Sequence, residues 1–167
     1  TLRQGVVGLL RRQGVELLTG TAAFTDPHTL RIVHEGTTQT VVAERFIIAT
    51  GARPSPGPWA FDGRAVLSYR DLLRQPSLPA SLLMIGGGVI GCEFASCFAS
   101  FGTTVTLIEQ QSQVLPQDDP EAVRVVTQAL QTRGVTIRTN ATVQRLTASA
   151  EGVRADLADG TTVNAQQ

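Results

Sequence analysis

The chain contains no lysine: all 14 of its basic residues are arginine, matched by 14 acids in 167 residues. Without lysine there is no Schiff-base chemistry and no P-loop, whose Lys must reach the phosphates. Zero net charge without a basic cluster excludes a binder that holds nucleic acid by its charge, and Arg11-Arg12 is too short to be such a patch. Cysteine is scarce. Two residues, Cys92 and Cys97, cannot staple a domain of this size, so the core must be apolar. No apolar run approaches the roughly 18 residues that span a bilayer, and no basic patch followed by an apolar stretch opens the chain. An intracellular, cytoplasmic protein with no membrane partner is expected. Thr1 stands where a Met would begin a chain, and the sequence opens inside a helical pattern, so a segment of something longer is expected. What is present is a hydrophobic content of 42% with 17% charged residues, a folded composition with room for one domain and part of another.

Apolar residues at Leu2, Val6, Leu9 and Leu10 predict a helix over 2–13, ended by Gly14. Short β runs follow at Val15 to Leu18, Thr21 to Phe24, His28 to His34 and Gln39 to Ala43. Asp26-Pro27 and Glu35-Gly36 are the turns of a small antiparallel meander. Phe46 to Ala49 is a continuous apolar run, the pattern of a buried strand. Pro54, Pro56, Pro58, Gly57 and Gly63 make residues 51–63 the clearest linker, with Trp59 and Phe61 expected to pack between domains. Ser68-Tyr69-Arg70-Asp71 reads as a capping box opening a short helix.

From residue 82 strands and helices alternate. Leu82 to Ile85 is a buried strand, Val89 to Phe101 a helix closed by Gly102, and Thr104 to Ile108 a β-branched strand. Asp118-Asp119-Pro120-Glu121 supplies an N-cap, a first-position proline and first-turn acid for a helix ending at Gly134. Val135 to Arg138 is the next strand, and Thr142 to Thr147 and Val153 to Leu157 an antiparallel pair. The order predicts an α/β fold with a doubly wound parallel sheet of Rossmann type, plus a small antiparallel β-meander.

Gly86-Gly87-Gly88-Val89-Ile90-Gly91 contains G-x-G-x-x-G between a strand and a helix, and Glu109 follows the next strand 18 residues after Gly91. Each part has a task in holding a dinucleotide. Gly86 permits the turn out of the strand, Gly88 lets the backbone approach a pyrophosphate, and Gly91 lets the helix pack close to the sheet. The pyrophosphate sits on free N–H groups at the positive end of the helix. Glu109 accepts hydrogen bonds from the adenosine ribose, and residues 110–114 offer no cation for a 2′-phosphate, which favours NAD over NADP.

Other groupings have simpler explanations. Cys92 and Cys97 repeat C-x-x-x-x-C, but on a helix five positions are about 140° apart, and a Cα separation of roughly 8 Å exceeds the reach of a disulfide. His28 and His34 share a strand face without further ligands, so no metal site is expected. Asp118, Asp119 and Glu121 are explained by helix capping.

The string Ile48-Ala49-Thr50-Gly51-Ala52-Arg53-Pro54, the linker, the glycine turn followed by Cys92-Glu93, Glu109, and Val114-Leu115-Pro116 together resemble the FAD-dependent pyridine nucleotide–disulfide oxidoreductases, most of all their dihydrolipoamide-oxidising branch. The resemblance spans nearly the whole chain. It implies that residues 1–53 end the first segment of an FAD domain and that 54–167 form an NAD domain cut short at its C-terminal end. It implies FAD contacts at Ala22, Ala49, Thr50 and Gly51, and NAD contacts at Gly86, Gly87, Gly88, Val89, Ile90, Gly91, Glu109 and Val143. Glu93 matches a glutamate beside the nicotinamide that pairs with a lysine this chain lacks; the simpler explanation is an acid in the first helical turn. The family's first glycine turn, its redox disulfide, its second FAD segment and its dimerisation domain with catalytic His and Glu are absent from these residues. The implied partners are NAD(H), the rest of the parent chain and a second copy of the parent. Sister reductases of mercuric or glutathione type, and a non-catalytic dinucleotide-binding module, are the alternatives.

Overall fold

A computed structural model describes residues 2–55 and 57–167; Thr1 and the linker proline Pro56 lie outside them. The chain divides after Ala52 into two compact units.

The first unit begins with helix α1 (Leu2–Arg12), whose last turn carries Arg11 and Arg12 beside the negative end of the helix. Strands β1 (Thr21–Asp26), β2 (Thr29–His34) and β3 (Thr37–Val42) pair antiparallel in that order, the expected meander. Two expectations fail here. Val15 to Leu18 forms no strand, and neither does Phe46 to Ala49. Far from being buried, Ile47 is 96% and Ile48 72% exposed. A continuous apolar run becomes a buried strand only against a partner edge, and no described residue pairs with this one. Phe46 instead packs edge-to-face on Phe24, with ring centroids 5.1 Å apart. His28 falls in the β1–β2 turn rather than in the strand, so it shares no strand face with His34.

In the second unit the linker residues are part of the fold. Trp59, Ala65 and Val66 pack on this unit's own core. Asp62 accepts from the N–H groups of Arg64, Ala65 and Val66 and closes a tight turn. Ser68 caps α2 (Tyr69–Leu72) in the predicted capping box with Asp71.

The centre is a parallel sheet, ordered β4 (Ser81–Ile85), β5 (Thr104–Ile108), β6 (Thr136–Arg138). Helix α3 (Val89–Ser100) joins β4 to β5, and α4 (Pro120–Thr132) joins β5 to β6. Both connections step one strand in the same direction. The preference for right-handed crossovers therefore lays both helices on one face, where they touch each other. The meander β7 (Val143–Ser149), β8 (Gly152–Leu157), β9 (Thr162–Ala165) covers the other face. Alternation along the strands serves both faces. Leu82, Val105 and Leu107 join the helix-side core, while Leu83 and Ile108 join the core under the meander. Strand β9 was not expected from the sequence.

Candidate functional site

Because β4 and β5 are adjacent and parallel, with Ile85 opposite Ile108, their carboxyl ends lie side by side. That places Gly86, which follows β4, next to Glu109, which follows β5. The N–H of Gly86 donates to the Ile108 carbonyl at 2.8 Å. Gly86 then turns the chain at φ +106°, a conformation that favours glycine.

The other three glycines differ in what surrounds them. A Cβ on Gly91 would lie 2.0 Å from the Gly86 carbonyl oxygen, so only glycine lets the helix seat against the turn. A Cβ on Gly88 would enter open space, which leaves its backbone approachable from outside. A Cβ on Gly87 would point into the protein, 2.9 Å from Val114 Cγ1 and 3.1 Å from Glu109 Cβ. Gly88 is also the N-cap of α3 and supplies no side-chain cap. Helix α4, by contrast, is capped by Asp119, which accepts from the N–H groups of Glu121 and Ala122. Within α3 the first bond back to the cap is Cys92 N–H to the Gly88 carbonyl at 3.0 Å. The N–H groups of Val89, Ile90 and Gly91 are the orphan donors that every helix start presents, and here they adjoin the open side of the turn.

Glu109 is 6% exposed. Its Oε2 accepts from Gly87 N–H at 2.7 Å and its Oε1 from Gln111 N–H at 2.8 Å. The carboxylate is thus already a structural clamp between the turn and the loop after β5, with a second lone pair on each oxygen left to accept from a ligand. The chain returns to the same place after β6: Asn140 N–H donates to the Gln111 carbonyl at 2.8 Å, and Ala141 N–H to the Glu109 carbonyl at 3.0 Å. Val143 starts β7 two residues later, with its side chain in the core under the meander.

The turn, Glu109 and the 140–143 segment are therefore gathered at one end of the sheet, where open α/β sheets bind their ligands. Glu93 is exposed on α3 and outside this hydrogen-bonded group. Since α3 starts at Val89, no acid occupies its first turn, and the simple helix-dipole explanation of Glu93 fails. Ala22 lies on β1, and Ala49, Thr50 and Gly51 are exposed beyond β3, all in the first unit.

Cys92 and Cys97 are both free thiols. Burial, then the negative charge of Glu109, push the Cys92 thiol up from its ordinary value. Its S–H faces the Gly87 carbonyl at 3.4 Å. A thiol so placed is a core residue and a poor nucleophile.

Val114 and Leu115 were not recognised as site residues in the sequence. Leu115 N–H donates to the Gly87 carbonyl at 2.7 Å, and Val114, 1% exposed, packs where a Gly87 side chain would be. Ser112, Gln113 and Val114 also line one wall of a cavity of about 510 Å³ whose opposite wall is α4. Nothing in the composition of these residues announces their contact with a glycine more than 25 positions earlier.

The profile of the family described as "Pyridine nucleotide-disulphide oxidoreductase" matches residues 1–167. The chain belongs to this family. Among its relatives is a dihydrolipoyl dehydrogenase of Zymomonas mobilis, 39% identical over 159 residues, which cover 94% of this chain and 34% of the relative. A soluble pyridine nucleotide transhydrogenase of Mycobacterium tuberculosis is 37% identical over 160 residues, covering 94% and 34%. The crystal structure of LpdA from Mycobacterium tuberculosis superposes with a TM-score of 0.85 at 30% identity, covering 98% of this chain and 38% of that one. The chain spans about a third of the length of the curated relatives it matches. The expected α/β fold on a parallel sheet thus has a solved counterpart, and membership of the family implies pyridine nucleotide and flavin cofactors.

Proposed function

We propose that the chain is the NAD(H)-binding portion of a flavoprotein disulfide reductase, and that the parent oxidises dihydrolipoamide to lipoamide while reducing NAD⁺ to NADH through FAD and a redox disulfide outside this chain. The observation that carries the reading is the conjunction at one sheet end of an open Gly88, the unbonded donors of α3 and the buried Glu109 carboxylate. In this reading Gly86, Gly87, Gly88 and Gly91 shape the turn. The N–H groups of Val89, Ile90 and Gly91 receive the pyrophosphate. Glu109 accepts from the adenosine ribose with the lone pairs its backbone donors leave free, and Val143 meets the adenine through its main chain.

Glu93 would neighbour the nicotinamide. Ala22, Ala49, Thr50 and Gly51 would contact FAD. Among the described residues no hydrogen bond ties down the backbone of residues 47–51, which suits a ligand contact. When bound, the nicotinamide and flavin supply the hydride and electron chemistry; the protein's part is to bind and orient them. In the same reading residues 1–53 belong to the FAD domain and 54–167 to the NAD domain, and the parent works as a cytoplasmic homodimer. No helix among the described residues is long and apolar enough to cross a membrane.

Choice of nucleotide follows from Glu109. A 2′-phosphate would meet a buried carboxylate, and residues 110–114 hold no cation to offset it. Like charges so juxtaposed cost several kcal/mol. Calorimetric titration of the chain should therefore show NADH binding at least about tenfold more tightly than NADPH, a difference of about 1.4 kcal/mol. Equal or tighter binding of NADPH would overturn the assignment of Glu109. It would favour a second reading, a nucleotide transhydrogenase, whose support is the 37% identical relative of that name.

A further inference from the structure

We infer that Val114 and Leu115 are positioning residues for the glycine turn, a strap that fixes the Gly87 peptide from the protein side and so presents Gly88 and the start of α3 to the nucleotide. The inference rests on the reading of the turn as the dinucleotide site. Its basis is that Gly87 is held at every point. Its N–H is taken by Glu109 at 2.7 Å, its carbonyl by the N–H of Leu115 at 2.7 Å, and the place of its missing side chain is filled by Val114.

The strap is itself held. Gln111 N–H is bonded to the other oxygen of Glu109, and Leu115 sits at φ +48°, a conformation that a side chain makes unfavourable. A non-glycine residue persists there only when its surroundings over-determine it. The bond from Leu115 to Gly87 is such a determinant. The carboxylate and the strap thus act as two jaws on the successive peptide units that flank the Gly87 Cα. At the next residue the Gly88 carbonyl is tied into α3 by the N–H of Cys92, while the outer face of Gly88, where a Cβ would stand, is open. A turn anchored from the protein side and open on its outer face is what a cradle needs to bind without first being ordered.

A double-mutant cycle between positions 87 and 114 tests this on the 167-residue chain. A Cβ at Gly87 lies 2.9 Å from Val114 Cγ1, and Val114→Ala removes that atom. The contacts with Glu109 Cβ at 3.1 Å and Leu107 Cδ2 at 3.2 Å remain, so relief is partial. Gly87→Ala alone should weaken NADH binding at least about fivefold through overpacking. Val114→Ala alone should weaken it less. The double variant should bind NADH more tightly than Gly87→Ala, although Val114→Ala lowers the urea midpoint in both backgrounds. Recovery of affinity against a falling midpoint is something a merely structural role cannot produce. A double variant that binds no better than Gly87→Ala overturns the proposal.

A second measurement serves if Gly87→Ala does not fold. In nucleotide-free protein, Val114→Ala should speed hydrogen exchange at the Gly87 amide by a larger factor than at the amides of β8. An equal or smaller factor at Gly87 would equally overturn the proposal. Because this readout needs no nucleotide, failure of the wild-type chain to bind NADH would count against the nucleotide reading alone.

Discussion

At Gly91 a single carbon decides whether the helix can seat. A Cβ there would sit 2.0 Å from the Gly86 carbonyl oxygen, and both partners are backbone, so neither can swing aside. Gly91→Ala must push α3 away from the turn, and overpacking of this kind costs about 1–3 kcal/mol. Urea unfolding of the variant should show a loss of at least that size, and a midpoint equal to wild type would mean that the close approach is not needed. The tasks of Gly86, Gly88 and Gly91 could be read from their spacing, because those tasks are local: a turn, an open face, a helix seated one turn on. The task of Gly87 could not. Its constraint comes from Val114 and Glu109, which are brought to it only by the pairing of β4 with β5. Glu109 was expected to accept from a ligand, but its two backbone bonds follow from the same pairing and have no signature in sequence. Leu115 gave no warning either, since its positive φ falls on a residue that does not advertise one.

Elements with local punctuation were legible, and those without it were not. Helix α4 opens at Asp119-Pro120-Glu121 and α2 at a Ser68–Asp71 box, as the residue types predicted. The strand β9, whose Thr162–Ala165 carries only one strongly apolar residue, was missed because its place is set by pairing with β8. The same punctuation carries a pH dependence. Ser68 holds the Asp71 carboxylate below the ordinary aspartate value of 3.8, first through its hydroxyl and then through its N–H. Asp62 is lowered first by the N–H of Arg64, Asp26 by that of His28, and Asp159 by the hydroxyl of Thr161. In each case the folded chain takes up the proton less readily than the unfolded one. The stabilisation is therefore complete above 3.8 and disappears as pH falls from 3.8 through the lower folded values. Thermal unfolding should give a midpoint that drops below pH 3.8, with a smaller drop in Asp62→Asn than in wild type. A midpoint indifferent to pH across that window would show these turns to be energetically idle.

Across the whole molecule the buried residues are distributed unevenly. All of them, from Ser68 to Leu157, belong to the second unit, and not one described residue of the first is buried. A fully buried Val or Leu side chain contributes about 1.5–3 kcal/mol, and the second unit holds Val105, Leu107, Ile108 and Val114 at 1% exposure or less. The first unit has hydrogen-bonded strands with no such contribution beneath them. Its apolar residues are present in the sequence, in Leu2, Val6 and Leu9 of α1 and in Ile47 and Ile48, but they stay exposed. This is why Phe46 to Ala49 misled: an apolar run states a demand for a covering surface, and the sequence cannot say whether one is supplied. A three-stranded meander without a core is marginal. Native-state hydrogen exchange of the chain should therefore separate the two units, the amides of β1–β3 exchanging by local opening well before those of β4–β5. Only the second set should approach the free energy of global unfolding, and a chain beginning at Arg53 should keep the same urea midpoint. Protection of β2 equal to that of β5 would mean that the first unit draws stability from contacts other than buried apolar ones, and the division at Ala52 would lose its energetic meaning.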